Sequence, residues 1–494
     1  MHLPPPDLSI VARRAEIVAG LREIMPSHVI SDDESLAVYD CDALTALRQK
    51  PLCAVLPGTV ADVAAILRFC RDAGVNVVPR GAGTSLSGGS IPLGDGILLV
   101  MARLNRVIEI DYENRCVVVQ PGVTNLAITQ AVEERGFYYA PDPSSQLACS
   151  IGGNVAENSG GVHCLKYGLT TNNLLGVEMV LIDGAVVRLG GKCGMPSGYD
   201  LLGVVTGSEG LLGVVTEVTV RILPKPPLAR ALLIGFPSIE SAGQCVADII
   251  ADGIIPAGLE LMDRISVGAM EAFCAPGYPL DAEGVLIAEL DGTPTDVNTL
   301  IARVEEIAVK AGANSCRVST SEAERLKIWA GRKAAFAATG RIAPDMLCMD
   351  GTIPRRELPA VMHRIRELSA QYGLPVANVF HAGDGNLHPL ILYDLMKAGD
   401  LEKAENFGND ILRLCVEVGG VLTGEHGVGI EKRDLMSVMF AAEDLAQQQR
   451  VKCAFDPSHR LNPGKVFPTL HACAELSRVH IHGGQFRHPE LPRL

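Results

Sequence analysis

Apolar positions recur at roughly helical spacing through Leu8–Ile24 (Ile10, Val11, Ile17, Val18, Leu21), ahead of a polar stretch containing Asp32, Asp33 and Glu34. Residues 1–50 therefore read as a helical arm. Ala54–Leu56 is a short apolar run. Thr59–Asp62 fits a capping box, with Val63, Ile66, Leu67 and Cys70 as the inner face of a helix that Gly74 stops. Val75–Val78, Gly96–Met101, Val107–Ile110, Cys116–Gln120 and Val214–Ile222 read as strands from their β-branched content. Val177–Ile182 and Ala185–Leu189 flank Asp183-Gly184, which predicts a two-residue hairpin turn.

Leu223–Pro227 marks a boundary, because prolines interrupt helix and sheet alike. Beyond it, strands at Leu232–Phe236, Leu286–Leu290 and Val376–Phe380 alternate with helices at Ser241–Ala251 and Thr299–Ala311. The expectation is an α+β chain: a first domain over 51–227, a cap with a mostly antiparallel sheet over 228–420, a segment 421–470 returning to the first domain, and a tail 471–494.

Composition narrows the function classes. At 494 residues the chain exceeds one core. A net charge of −14 argues against nucleic-acid binding, which needs a cationic face. None of the 14 cysteines forms a C-x-x-C pair, so no zinc ribbon or iron–sulfur set is signalled. The first residues are proline-rich with no apolar core behind them, and no apolar run reaches the ~20 residues of a membrane span. A reducing cytoplasmic setting is expected, compatible with peripheral attachment to the inner face of the membrane.

Three glycine-rich segments carry candidate chemistry. Pro79–Ser90 (PRGAGTSLSGGS) fails the G-x-G-x-x-G fingerprint at its last position, runs into no helix, and lacks the G-K-[ST] of a phosphate-binding loop. Alone, it reads equally as a structural turn or as a nest of backbone N–H groups. Pro141–Gly161 reads as a long loop of small residues, which in a compact domain is usually functional. Gly207–Gly213 is the third. Three such segments separated by strands suggest one extended ligand threaded between two sheets.

A second constellation lies downstream in His381–His388 (HAGDGNLH). A two-residue Asp384-Gly385 turn would set His381 directly opposite His388, with Cβ atoms roughly 4.5–5.5 Å apart. Such a pair suits one metal ion, or is simply two surface histidines. Glu425 would complete a His₂Glu set with an open position for substrate, or form a salt bridge to Lys432 or Arg433. The adjacent His426 cannot readily aim at the same ion, and its ordinary pKa of about 6.5 suits a base.

In this order, PRGAGTSLSGG, CSIGGNVAENSGG and GSEGLLGVVTEVTVRI resemble the two-subdomain FAD-binding domain of the vanillyl-alcohol-oxidase (PCMH) type. HAGDGNLHPLI, GEHGVG and NPGK resemble its D-2-hydroxyacid dehydrogenase branch, the FAD-linked catalytic subunits of bacterial glycolate oxidases above all. The resemblance implies FAD contacts from Arg80, Gly81, Ala82, Gly83, Thr84, Ser85 and Gly88 to the pyrophosphate. It adds Pro143, Ser144, Cys149, Gly152, Gly153, Asn154, Glu157, Asn158 and Gly161 beside the flavin, Glu209, Gly210, Gly213 and Val215 near the adenosine, and Asn462 in the NPGK stretch. Lys465 of that stretch reads as a cation near the flavin or as a surface residue. No histidine lies in Pro79–Ser90, so FAD is expected to be non-covalent.

The implied reaction oxidises a small 2-hydroxy acid, glycolate or D-lactate, to the 2-oxo acid. A metal held by His381, His388 and Glu425 (zinc first, iron or manganese next) binds substrate, His426 deprotonates it, and hydride passes to flavin N5. Arg332 is the family-matched grip for the carboxylate, and Asn386 a further substrate contact. Relatives acting on longer dicarboxylic acids carry a lysine just before an aspartate, where this chain has Leu347-Cys348-Met349-Asp350. That favours a small substrate unless Lys333, Arg355 or Arg356 substitutes. Electrons would pass to a second FAD-binding subunit and an iron–sulfur subunit, or to a quinone. A stand-alone D-lactate dehydrogenase and a D-2-hydroxyglutarate dehydrogenase are the alternatives. A non-catalytic flavin subunit would not need a base beside a metal. The tail, with His480, His482 and His488, reads as a partner contact.

Overall fold

The computed structural model describes residues 1–193 and 198–468, so the tail histidines lie outside the described residues. A first sheet has four strands in the order Val29–Ile30, Cys53–Val55, Gly96–Val100, Asn76–Arg80. The three longer strands are parallel (Cys53 beside Ile97, Asn76 beside Gly96), and the two-residue edge strand Val29–Ile30 is antiparallel. The helix Val60–Ala73 makes the crossover. Thr59 and Asp62 cap it reciprocally, and Gly74 ends it at φ 72°. Val63, Ile66, Leu67 and Cys70 pack with Val77 and Leu99 and with Ile17 and Leu21 of the helix Arg14–Ile24. The arm is thus part of this core and supplies the edge strand.

The second sheet is antiparallel, in the order Val107–Asp111, Cys116–Val119, Val214–Arg221, Leu174–Val180, Val186–Gly190. Its last hairpin departs from the expected two-residue turn. Val180 pairs with Val186, and the Gly184 N–H donates to Leu181 O at 2.9 Å, with Gly184 at φ 79°. Glycine in the left-handed position closes a loop one residue longer.

Pro141–Gly161 also departs from the expected long loop. Ser150 accepts the Gly153 N–H and caps a helix, Ile151–Glu157. Two glycines cost this helix about 1 kcal/mol each against alanine. Burial of Ile151 and Val155 outweighs that local preference.

The cap is a seven-stranded antiparallel sheet in the order Ser315–Val318, Leu228–Phe236, Gly284–Gly292, Gly258–Asp263, Val376–Phe380, Pro389–Tyr393, Asp345–Cys348. Leu232, Ile234 and Phe236 face one core with helices Ile239–Ala251, Pro294–Lys310, Leu358–Tyr372 and Asp400–Glu417. Ala231 and Leu233 face the other, with helices Arg264–Cys274 and Glu322–Lys333. Both faces are covered, so these strands read as unbroken apolar runs. After Val421 the chain reaches back to the first sheet, where Val77 bridges to Leu461. Among the described residues no helix is long and apolar enough to cross a membrane.

Candidate active site

A cavity of about 470 Å³ lies where the four- and five-stranded sheets meet the cap, and all three glycine segments reach it. Arg80, Gly81, Ala82, Gly83, Thr84 and Ser85 come from the first, and Pro143, Ser144, Cys149, Gly152, Gly153, Asn154 and Glu157 from the second. Glu209, Gly210 and Gly213 come from the third, and Val215 from the strand that follows it. Met101, Pro121, Met179, Val205 and Val214 supply an apolar stretch of wall. Close packing restricts two of the glycines here: a Cβ on Gly81 would lie 2.1 Å from Ser150 Oγ, and one on Gly152 2.6 Å from Pro121 Cβ and 3.1 Å from its carbonyl oxygen. Asn154 Nδ2 and Glu157 Oε2 are buried with no partner among the described residues. Backbone-rich loops, an apolar slot and a spare amide donor fit a long ligand with a flat ring and a charged linker.

Some expected cofactor contacts stand outside this wall. Gly88 takes φ 80° within the loop. Asn158 ends the helix Ile151–Glu157, and its Oδ1 accepts the Thr171 N–H. Gly161 packs on backbone, where a Cβ would come 2.5 Å from the Asp142 carbonyl. Asn462 Nδ2 donates to Gly89 O and Glu209 O, tying the first segment to the third. These residues shape the loops rather than line the cavity. Lys465 is buried, not a surface residue, and its Nζ donates to Gly89 O and Ile91 O.

His381, His388, Glu425, His426, Arg332 and Lys333 line the cap side of the same cavity. The hairpin that carries the histidines corrects the expected register. Val376 pairs with Ile391 and Asn378 with Pro389, and His381 bridges to Asn386 rather than to His388. Both Gly385 N–H and Asn386 N–H donate to His381 O, closing a four-residue loop, 382–385, with Gly385 at φ 83°. The slip is two residues. Side chains alternate with period two, so an even slip leaves both imidazoles on one face. They are diagonal neighbours, ring centroids 5.0 Å apart.

His381 Nε2 and His388 Nε2 converge on Glu425 Oε1, at 3.2 and 3.0 Å. On the far side of each ring, His381 Nδ1 meets Glu260 Oε1 at 2.8 Å and His388 Nδ1 donates to Met349 O at 3.4 Å. A held Nδ1 leaves Nε2 as the ligand nitrogen, the arrangement usual behind metal-bound histidines. Burial works against the charge on Glu425, yet the His381 and His388 imidazoles hold its carboxyl well below the usual range. Burial likewise opposes charge on His381, but Glu260 and Glu425 raise it well above the ordinary imidazole value. The donor set fits a cation.

The alternative partners of Glu425 are engaged elsewhere. Lys432 is fully buried against Glu431 Oε2 at 2.9 Å and Gly427 O at 2.8 Å, while Arg433 pairs with Asp434. His426 stacks on His388 with centroids 4.8 Å apart, its Nε2 3.9 Å from Glu425 Oε1 and its Nδ1 buried with no partner among the described residues. Burial drives its pKa down to about 4, so it stands neutral.

Arg332 is not a solvated helix residue. It is 2% exposed, and its Nε and Nη2 meet Glu260 Oε2, each at 2.7 Å, while Nη1 takes no part in that pair. Asn386 sits behind the wall rather than in it, its Nδ2 donating to Asp350 Oδ1 at 2.9 Å and to Thr352 Oγ1. Lys333 lies in the wall, whereas Arg355 and Arg356 do not line it.

Sequence reasoning missed the acceptors behind these groups. Glu260 links Arg332 to His381. Asp350 accepts the N–H groups of Gly424, Glu425 and His426. In the sequence Asp350 stands out only as the aspartate that follows the missing lysine, with nothing to mark it as a backbone acceptor, and Glu260 is one residue within a largely apolar strand.

Comparison with known proteins identifies the family. Residues 51–190 match the family described as FAD binding domain, and 225–466 match FAD linked oxidases, C-terminal domain. The chain is 55% identical to the glycolate oxidase subunit GlcD of Escherichia coli K12, covering 97% of this chain and 96% of that one. It is 38% identical to GlcD of Bacillus subtilis, covering 90% and 94%, and 31% identical to a D-lactate dehydrogenase of Anaerostipes hadrus, covering 91% and 97%. Among solved structures, the 4-ethylphenol oxidase of Gulosibacter chungangensis superposes with a TM-score of 0.78 at 18% identity, over 94% of this chain and 99% of that one. p-Cresol methylhydroxylase gives 0.78 at 17%, over 92% and 97%. At those identities the likeness is one of fold, the PCMH-type FAD-binding fold. With both halves matched in sequence and the glycine segments gathered on one cavity, this chain belongs to the family of FAD-linked oxidases.

Proposed function

We propose that the chain oxidises a small 2-hydroxy acid, glycolate or D-lactate, to the 2-oxo acid, using non-covalent FAD and a divalent cation, zinc before iron or manganese. The observation that carries the reading is the convergence of His381 Nε2 and His388 Nε2 on Glu425 Oε1, in the wall of the cavity that the glycine segments form. The relatives named glycolate oxidase subunit and D-lactate dehydrogenase support the same substrate class.

When bound, FAD supplies a two-electron acceptor, and the cation supplies a Lewis acid that lowers the pKa of an alcohol. His381, His388 and Glu425 would hold the cation. Arg332 binds the substrate carboxylate, because a guanidinium whose other edge is fixed by Glu260 presents its free N–H groups in one orientation. His426 Nε2 accepts the hydroxyl proton. Its neutral ring is held by stacking on His388 and by the backbone bond from its N–H to Asp350 Oδ2, 2.9 Å. Electrons leave to a partner, in keeping with relatives named as subunits: a second FAD-binding subunit and an iron–sulfur subunit, with peripheral placement at the cytoplasmic membrane. Lys333 in the wall gives a specific reason to test a dicarboxylate, although Asp142 Oδ2 lies 3.8 Å from its Nζ.

The test is anaerobic bleaching of the flavin by glycolate, D-lactate and D-2-hydroxyglutarate. Reduction by the first two is expected, and no reduction by any of them removes the dehydrogenase reading. His388→Ala should lose bound metal, and an unchanged metal content refutes the ligand set. His426→Gln should keep FAD and metal yet fail to bleach.

A further inference from the structure

The sequence places Glu209 among the cofactor contacts. Its carboxylate is used in another direction: Oε1 accepts the Val428 N–H at 2.7 Å and Oε2 the Gly429 N–H at 2.8 Å. The residue holds a left-handed backbone, φ 49°, uncommon outside glycine. That conformation is over-determined. Glu209 N–H donates to Ala156 O at 2.8 Å, and Glu209 O accepts Asn462 Nδ2 at 2.7 Å.

The first glycine segment grips the same stretch. Ser87 Oγ donates to His426 O at 2.9 Å, and Ser87 O accepts the N–H groups of Ile430 and Glu431 at 2.9 and 3.1 Å. The fit leaves no spare room. A Cβ on Gly429 would lie 2.1 Å from Ser87 O, and one on Gly427 3.0 Å from Glu209 Cδ. Two segments whose neighbours line the cavity therefore fix the backbone that presents Glu425 and His426.

We infer that Glu209 is a positioning residue that fastens the 424–429 loop to the wall of the cofactor cavity, so that FAD binding and cation binding at Glu425 reinforce one another. Whatever orders the 81–90 and 207–213 segments also fixes Ser87 and Glu209, and through them the cation ligand. Linkage requires the reverse effect to be equal. The coupling half of this inference rests on the cation reading above; the fastening of the loop does not.

The test uses the holoenzyme, comparing wild type with Glu209→Gln and with the milder Ser87→Ala. Glutamine keeps the shape of Glu209 but sets an NH₂ against one of the two backbone donors. FAD release is followed by flavin fluorescence with zinc bound and after zinc is stripped by a chelator. Hydrogen exchange is read at the Val428 and Gly429 amides. Wild type should release FAD about tenfold faster once zinc is stripped, a ratio typical of coupled sites. In both variants the ratio should shrink toward one, and in Glu209→Gln the two amides should exchange at least about tenfold faster. A merely structural role would speed release equally in both zinc states, leaving the ratio intact, and that result overturns the coupling. Unchanged amide protection in Glu209→Gln overturns the fastening. If wild type binds no zinc, the ligand set proposed above fails by itself, and amide exchange still decides the role of Glu209.

Discussion

Replacing Asp350 with asparagine weakens the support behind the 424–426 backbone. Asp350 is fully buried. Its Oδ2 accepts from Thr423 Oγ1, from Gly424 N at 3.0 Å and from His426 N at 2.9 Å; Oδ1 accepts from Asn386 Nδ2 at 2.9 Å and Glu425 N at 3.2 Å. The better rotamer of an asparagine keeps its oxygen at the Oδ2 position. Its NH₂ then faces Asn386, whose Oδ1 is buried with no partner among the described residues and can turn to accept it. Glu425 N–H, shared between Oδ1 and Oδ2, keeps the Oδ2 position at 3.3 Å. What remains lost is the charge behind the Oδ2 bonds from Thr423, Gly424 and His426. Bonds to a charged group contribute about 1 kcal/mol more than neutral ones, so Asp350→Asn should cost about 3 kcal/mol. The assay is the denaturant midpoint of the holoprotein at several pH values. Burial opposes the charge on Asp350, but His426, Lys432 and His388 hold its pKa at about 2. A depressed carboxyl stabilises above its unfolded value of about 3.9 and loses that contribution as pH falls through its folded value. The gap between wild type and Asp350→Asn should hold from pH 7 to 5 and narrow by about 2.6 kcal/mol as pH falls from about 4 to 2 and below. A gap below about 0.5 kcal/mol at pH 7, or one that widens in acid, refutes the reasoning.

Arg332→Lys keeps the charge but not the fork, so the KM for glycolate should rise about tenfold with FAD content unchanged; an unaltered KM would show that Arg332 does not grip the carboxylate. Arg332→Met leaves Glu260 buried beside His381 alone and should cost about 3–5 kcal/mol in the denaturant midpoint. His163 bridges Asp142 at 2.9 Å and Glu289 at 3.1 Å, and although burial opposes its charge, Asp142 and Glu289 raise its pKa to about 10. A raised histidine stabilises fully below its unfolded value of about 6.5 and loses that contribution as pH rises toward 10. Wild-type stability should therefore fall between pH 6.5 and 10 more steeply than that of His163→Gln, and parallel profiles would contradict the bridge.

Local chemistry made much of this legible. The Thr59/Asp62 box and Gly74 bound their helix because capping groups lie within a few residues of what they cap. The glycine segments signalled themselves by composition. The His381 and His388 pair survived an error of register, since alternation fixes which face a side chain takes and a slip of two preserves it. One residue of slip would have parted them. The helix Ile151–Glu157 was hidden, because two glycines speak against a helix and only burial of Ile151 and Val155 reverses the balance.

The supporting acceptors were not legible in that role, although the sequence marks Glu209 and Asp350 for other reasons. Glu260 meets His381 across 121 positions of chain, Asp350 meets His426 across 76, and Glu209 meets Gly429 across 220. The sequence by itself put His381 and His388 forward as candidates for a cation and His426 for a proton, because donor type and strand parity are local properties, while Arg332 came forward through the family resemblance. Only the tertiary structure decided which nitrogens were free to do so. That depends on acceptors brought up from distant elements, and a buried polar group takes whichever partner the packing delivers.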